Sequence, residues 1–249
     1  MSIRLQGTEI PENHETEKVE ADYSALCDRI TNESEKEMMD KSFEQWGIIE
    51  AKHKEFIAQV AWALTTLDGL KKIASCLREH GCRTALSIGT GLGVFENALM
   101  MIGKDIQVIM TDKNPPEDKK QVKAMEAEAA VQTFGHEVTC LIMIFPELGG
   151  QHTLEAVKMF PGRIVVYSGD MNPFGGCTGT DELHEYLTDN FDEVMNIDNK
   201  NWWCTNSRSM VWRRKGTARN QEGVLYPALY AEDIVFEEMF AAENIRWFV

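Results

Sequence analysis

The chain has 249 residues, of which 25 are Lys or Arg and 40 are Asp or Glu, so its formal net charge is −15. Its 43% of apolar and 26% of charged residues are ordinary for a globular protein, and its length suffices for one large domain with a sizeable core. The acidic balance argues against nucleic acid and anionic membranes as main partners, because both normally require a basic face.

Targeting segments and metal-site motifs are not found in this sequence. It has no run of about 18 apolar residues, as a membrane-spanning helix requires, and its first residues lack the apolar segment of a secretory signal. The six cysteines form no C-x-x-C pair, so we expect reduced thiols in a cytoplasmic protein. The six histidines lack the spacing of metal ligands, and we therefore expect no metal site.

The N-terminal third is acidic and then helical in pattern. Residues 1–44 hold twelve acidic and five basic side chains, which is about half of the net charge. From Tyr23 to His80, apolar residues recur at three- and four-residue steps, the spacing of one helix face. We interpret Asp68-Gly69 as a break between two helices and Gly81 as the end of the second. The pattern therefore predicts an acidic tail and a helical N-terminal cap over residues 1–80.

Strands and helices alternate in the following segment. The predicted strands are 84–88, 106–111, 138–145, 163–167, 191–197 and 207–213, and the predicted helices are 94–102, 117–134, 153–160 and 181–187. This alternation predicts an α/β sheet with helices on both faces over residues 81–215. Residues 216–249 are too apolar for a disordered end, so we expect them to pack on this core or on a partner, for example in a homodimer.

Three closely spaced glycines follow the first strand of the core. The segment reads Ser87-Ile88-Gly89-Thr90-Gly91-Leu92-Gly93, and Asp112 ends the next strand. Glycines at alternate positions permit positive φ and let a ligand reach the backbone, while the following helix presents unpaired amides. An acidic residue at the tip of the adjacent strand can accept hydrogen bonds from a ribose diol. Two simpler interpretations stay open: the glycines close a turn, and Asp112 is a cap or a surface charge.

This segment, Asp112 and the later stretch Leu141-Ile142-Met143-Ile144-Phe145-Pro146-Glu147 resemble the class I S-adenosylmethionine-dependent methyltransferases, over residues 84–215. The resemblance implies a Rossmann-like fold and S-adenosylmethionine as the cofactor. It implies that the glycines hold the methionine end and Asp112 the ribose, and the candidate cofactor contacts are Ser87, Gly89, Thr90, Gly91, Gly93, Asp112 and Phe145. A nicotinamide cofactor is less favoured, because dinucleotide-binding loops usually have Gly or Ala at the position of Val94.

The sequence departs from this family at two points. Family members often have an acidic residue where Ser87 stands, near the ammonium group of the cofactor. They also usually fit another strand and helix between the second and third predicted strands, where this chain has residues 113–137. We therefore assign no residue to the adenine ring, and we expect either that the adenine pocket is built differently or that one unit of the sheet is missing.

Two carboxylates that follow later strands are the candidate catalytic residues. Glu147 lies in the loop 145–150 and can orient or deprotonate a nucleophile, which suits an in-line methyl transfer. Asp170 lies in the glycine-rich loop 168–179, which can cover a substrate with Asn172 and Phe174. For both loops the alternative is a turn that faces solvent.

The sequence thus predicts an S-adenosylmethionine-dependent enzyme that N- or O-methylates a small molecule. A cationic amine would suit the acidic surface. The alternatives are a catalytically silent binding or scaffold protein of the same fold and a nucleotide-dependent oxidoreductase. Cys177 has no placed base and receives no role, and the pair Trp202-Trp203 can either stack on a substrate or pack in the core.

Overall fold

The computed structural model describes residues 14–39, 61, 64–171, 178–201 and 206–216. Its helices are α1 (His14–Met39), α2 (Leu67–Glu79), α3 (Val94–Ile102), α4 (Ala127–Phe134), α5 (Gln151–Met159) and α6 (Asp181–Asn190). Its strands are β1 (Leu64–Thr65), β2 (Thr84–Ile88), β3 (Gln107–Asp112), β4 (Lys123–Ala124), β5 (Cys140–Ile144), β6 (Ile164–Gly169), β7 (Phe191–Lys200) and β8 (Arg208–Arg214). The expectations for Asn172, Phe174, Cys177, Trp202-Trp203 and the tail after Gly216 fall outside the described residues.

The eight strands form one sheet in the order β1-β7-β8-β6-β5-β2-β3-β4. Strands β2 to β6 pair in parallel, whereas β8 is antiparallel to β6 and β7, and β1 is antiparallel to β7. Strand β2 has β3 on one side and β5 on the other, so the direction in which the chain builds the sheet reverses there. Open α/β sheets bind ligands at such a switch point, beyond the carboxyl ends of the strands.

Helices cover both faces of this sheet, as the sequence predicts. Side chains alternate along a strand, so Ala85 packs in the core under α1, α2 and α3, while Leu86 and Ile88 pack in the core under α4, α5 and α6. The described core is therefore a three-layer α/β/α arrangement. It places the carboxyl end of β2 between two helical layers.

The prediction of two helices up to His80, divided at Asp68-Gly69, is wrong at two points in the described residues, and its part over residues 40–60 lies outside them. Leu64 and Thr65 form a strand that pairs with the end of β7, and both side chains are buried. Asp68-Gly69 does not separate two helices but lies in the first turn of α2, where the hydroxyl of Thr66 accepts the Gly69 N–H at 3.0 Å. Pairing with a distant strand overrides the local helical spacing, and Thr66 is the cap that starts the helix.

The predicted helix 117–134 is also shorter than expected. It begins at Ala127, and Lys123–Ala124 form β4, which pairs with the end of β3. Val122, just before β4, is buried in the core under α3 and ends a turn through its N–H to the carbonyl of Lys119. The additional strand is therefore present, and residues 113–122 contain no helix.

Candidate functional site

The glycine loop, residues 89–93, has the backbone conformation that its glycines predict. Gly89, Gly91 and Gly93 have φ of 64°, 58° and 71°, in the left-handed region that other residues rarely adopt. A Cβ atom added at Gly89 or Gly91 would meet nothing within 4 Å, whereas one at Gly93 would lie 3.1 Å from the sulfur of Met110. The first two glycines therefore face open space at the end of β2, while the third packs against the sheet.

Asp112 fixes this loop to the neighbouring strand. Its Oδ2 accepts the N–H of Gly91 at 2.8 Å and its Oδ1 accepts the N–H of Asn114 at 2.8 Å. The N–H of Thr90 adds a bond to the carbonyl of Thr111, at 3.0 Å. A carboxylate has about four lone-pair sites, so each Asp112 oxygen keeps acceptor capacity after these bonds. Asp112 is thus both a cap for the loop and an acceptor beside it.

Ser87 is fully buried, and its hydroxyl donates to Oε1 of Glu96 at 2.6 Å. Glu96 lies in the first turn of α3, is 1% exposed, and was missed by sequence reasoning. Burial raises the pKa of Glu96 to about 7; the bonds from Ser87 and from its own N–H oppose this rise, and the charge of Asp112 adds to it. The first turn of α3 therefore places a carboxyl group against the hydroxyl of Ser87. A signal was available, because Glu96 is the only charged residue between Val94 and Ile102.

The loop after β5 turns sharply at the same edge of the sheet. Among the described residues, Phe145 is the one non-glycine residue with positive φ, at 51°, and its N–H donates to the carbonyl of Ser168 at 2.7 Å. Glu147 is exposed, and its neighbour Leu148 is 64% exposed. The charge of Glu147 also contributes, after the contact with Glu126, to raising the pKa of Lys113. The structure thus presents Glu147 and Leu148 to solvent beyond the strand ends.

The second candidate acid, Asp170, has a different environment. It directly follows β6 and is buried, and its Oδ2 accepts the N–H of Asn206 at 3.4 Å. The hydroxyl of Thr178 accepts the Asp170 N–H at 2.8 Å and bonds with the Tyr167 hydroxyl, also at 2.8 Å. Tyr167 in turn contacts Nε2 of His184 at 2.9 Å. Asp170 is therefore buried in a hydrogen-bonded cluster, whereas Glu147 is exposed.

The loops that carry these two acids are joined to each other. The N–H of Gly149 donates to the carbonyl of Gly179 at 2.9 Å, and the N–H of Gly179 donates to the carbonyl of Pro146 at 3.0 Å.

Burial lowers the pKa of His184, against the opposite effect of Asp181 and Asp170. His184 is thus favoured as a neutral hydrogen-bond partner of Tyr167.

A buried polar network, which the sequence did not predict, lies behind this edge between β1, β6, β7 and β8. Asn199 donates to the hydroxyls of Ser168 and Ser207 at 2.9 and 3.1 Å, and accepts from the hydroxyl of Ser209 at 2.7 Å. Ser209 also contacts Thr65 at 2.6 Å. Four strands are therefore joined by polar side chains, and Tyr23 on α1 extends the network by donating to the carbonyl of Thr65 at 2.8 Å.

The described residues include no group of three or more His, Cys, Asp or Glu side chains arranged to hold a metal ion. None of the helices in this part of the chain is long and apolar enough to span a bilayer. Cys27, Cys76, Cys82 and Cys140 are buried thiols that form no disulfide. Burial raises the pKa of Cys27 to about 11 and also raises those of Cys82 and Cys140, so these thiols are held in their unreactive protonated form.

No protein-family model matches this sequence, and no curated protein resembles it in sequence. Magnesium protoporphyrin IX methyltransferase from Synechocystis PCC 6803, solved with bound S-adenosylmethionine, is a similar structure at 13% identity and a TM-score of 0.42, over 84% of this chain and all of that protein. An N-methyltransferase from Bradyrhizobium japonicum WM9, in complex with S-adenosylhomocysteine, has 15% identity and a TM-score of 0.38, over 58% of this chain and 87% of that one.

A third similar structure is an O-methyltransferase family protein from Burkholderia thailandensis, at 11% identity and a TM-score of 0.42, over 58% of this chain and 55% of that one. The solved structures named here are thus methyltransferases, the family that the sequence resembles, and the likeness extends to the fold alone. What the site does follows from its own residues.

Proposed function

We propose that this chain is an S-adenosylmethionine-dependent methyltransferase that acts on a small molecule. The observation that carries the proposal is the glycine loop, open at Gly89 and Gly91 and tied through the Gly91 N–H to Asp112. It lies at the carboxyl ends of β2 and β3, at the switch point of the sheet. An open loop with an acidic acceptor beside it suits a ligand that combines a small polar end with a ribose.

The residues present fit this cofactor. The space above Gly89 and Gly91 would admit the methionine end, and the acceptor capacity left on Asp112 would bind the ribose hydroxyls. When bound, S-adenosylmethionine supplies a methyl group that its sulfonium activates. The chain would then hold this methyl group in line with the nucleophile. The rate depends mainly on this positioning, since the protein itself forms no covalent bond in the transfer.

The substrate would lie beyond the ends of β5 and β6. In this proposal Glu147 aligns or deprotonates the nucleophile, and Asp170 is a fixed polar contact at the base of the second loop. The exposed Leu148 beside Glu147 offers an apolar contact next to a negative charge. That combination favours a small molecule with an amine on an apolar body, and the transfer to nitrogen or oxygen is decided by the substrate.

Calorimetry with S-adenosylmethionine and S-adenosylhomocysteine tests the proposal. We expect the wild-type chain to bind at one site, and Gly91→Arg to weaken binding by about a hundredfold or more because the side chain fills the ligand space. Gly216→Arg is the matched control, since Gly216 also has positive φ, 76°, and also has nothing within 4 Å of its Cβ position. A folded wild-type chain that binds neither ligand contradicts the proposal, and binding of NAD or NADP instead favours an oxidoreductase.

A silent binding protein of the same fold is the second candidate, and the turn structure of residues 113–122 in place of a helix favours it. Turnover separates the two. We expect S-adenosylhomocysteine to form when the protein is incubated with S-adenosylmethionine and a panel of small amines and alcohols. Stoichiometric binding without turnover on any member of the panel would favour the silent protein.

A further inference from the structure

Glu96 is buried next to the glycine loop, and among the described residues no cation pairs with it. It is three residues after Gly93, and Ser87, which binds it, is two residues before Gly89, so the pair connects the two ends of the loop. The ion pairs of the described residues do not include Glu96. A buried carboxylate with one neutral side-chain donor is costly to keep ionised.

The charged and titratable groups around Glu96 make ionisation harder still. Asp112, at the end of β3, adds a negative charge, and burial is the largest cause of the raised pKa of Glu96, about 7. From α1, Tyr23 interacts with Glu96, but its own pKa is raised well above its usual value, mainly by burial. Cys27, next to Tyr23, has a pKa of about 11 for the same reason. Neither titrates between pH 5 and 8.

We propose that Glu96 is a proton switch of the ligand site: at neutral and mildly acidic pH it holds a proton in a large part of the molecules while the glycine loop is empty, and this proton passes to solvent when a cationic amine of the ligand binds at the loop. The inference rests on the proposed function, because it needs a ligand with an amino-acid end. It assigns Glu96 to the ligand site and links the release of its proton to ligand binding.

The two ends of such a ligand match the two sides of the loop. A carboxylate suits the N-terminal amides of α3, where partial positive charge is concentrated. An ammonium suits the region of Ser87, since it brings to Glu96 the positive charge that the described surroundings lack. At low dielectric the attraction between an ammonium and an ionised Glu96 is strong, whereas a protonated Glu96 offers no such attraction. Binding of the ammonium therefore favours loss of the Glu96 proton. The amino-acid end of S-adenosylmethionine or S-adenosylhomocysteine carries both groups.

Carboxyl carbon-13 NMR of the full-length chain tests the switch directly. Without ligand, we expect the Glu96 signal to titrate with a midpoint near pH 7. Saturation with S-adenosylhomocysteine should move the midpoint down by at least one pH unit. A midpoint that does not move in the saturated protein overturns the switch and leaves the proposed function intact, whereas a wild-type chain that does not bind this ligand overturns both.

Calorimetry in buffers of different ionisation enthalpy supplies a second measurement. At pH 7 the wild-type chain should release about half a proton more per S-adenosylhomocysteine bound than Glu96→Gln does. The affinity of the wild-type chain, divided by that of Glu96→Gln, should rise about tenfold from pH 6 to pH 8. The amine of the ligand titrates in the same way against both proteins, so the difference reports Glu96.

Glu128→Gln is the control for the calorimetric comparison. It removes an acid from the first turn of another helix, α4, and should release as many protons as the wild-type chain. Equal proton release by Glu96→Gln and the wild-type chain overturns the proposal. If Glu96→Gln does not fold, the NMR titration of the wild-type chain decides alone.

Discussion

The glycine loop and the polar network between β1, β6, β7 and β8 use their polar side chains differently. At the glycine loop, Asp112 keeps acceptor capacity, Glu96 has no compensating cation among the described residues, and the space above Gly91 is open. In the network between β1, β6, β7 and β8, Asn199 uses both of its side-chain polar atoms within the chain. In a ligand site, some hydrogen-bonding atoms are left for a ligand. In a structural network, the hydrogen-bonding atoms are satisfied by partners within the chain.

The largest expected effect concerns the closed network. Asn199→Ala removes the group that binds Ser168, Ser207 and Ser209, and buried hydroxyls then lose partners in a low-dielectric interior. We expect a loss of about 3 kcal/mol in the free energy of unfolding, measured by urea denaturation.

The matched control for this substitution lies on the same strand. Asn196 is bonded to the exposed Glu193. Asn196→Ala should therefore cost less than about 0.5 kcal/mol. Folded Asn199→Ala should bind S-adenosylhomocysteine as the wild-type chain does. Equal stability of the two variants would show that the network contributes nothing specific.

The second expected effect is a pH-dependent difference in stability between the wild-type chain and Glu96→Gln. The pKa of Glu96 is about 7 in the folded chain, against an ordinary value of 4.5, so the folded state holds one more proton between these values. Wild-type stability therefore falls relative to Glu96→Gln as pH rises from 4.5 to 7, by about 3 kcal/mol in total, and the difference is constant above pH 7. Urea denaturation of both proteins from pH 4.5 to 8 measures it, and parallel profiles would mean that folding leaves the pKa of Glu96 unchanged.

These cases also show which parts of the molecule a sequence can predict. The glycine loop and Asp112 are local features. Each glycine takes the positive φ that its spacing predicts, and Asp112 is the last residue of β3, where the sequence pattern places it. Glu96 is equally local, since it is the one charged residue in the apolar helix α3, but a charge on a helix is usually solvated and does not by itself predict a site.

The features that sequence reasoning missed depend on partners far away in the chain. Leu64–Thr65 is a strand because β7, more than 120 residues later, offers an edge. Thr65 and Ser209 are likewise 144 residues apart when their hydroxyls meet. No local pattern distinguishes such residues from ordinary surface polar groups, so the network could not be predicted, whereas the order of strands and helices in the core could, apart from the short strand β4.

A third expected effect compares the two ends of β3. Asp112→Ala removes the acceptor of the Gly91 N–H and the proposed ribose acceptor, so we expect affinity for S-adenosylhomocysteine to fall at least tenfold, with about 1 kcal/mol lost in stability. Asp105, which precedes the other end of β3, forms exposed ion pairs with Arg78 and Arg83. Asp105→Ala should lose less than about 1 kcal/mol and leave affinity unchanged. Similar affinities for the two variants, measured by calorimetry, would remove Asp112 from the site.

The smallest expected effect separates backbone strain from ligand contact. Gly91 and Gly216 both have positive φ, and an added Cβ at either meets nothing within 4 Å. Replacement of either by Ala should therefore cost about 1 kcal/mol in stability, from the backbone conformation alone. Gly91→Ala should in addition weaken S-adenosylhomocysteine binding severalfold, because its methyl group projects into the space that the ligand would occupy, and Gly216→Ala should not. If both variants lose stability and neither loses affinity, the glycines of the loop serve the turn and not a ligand.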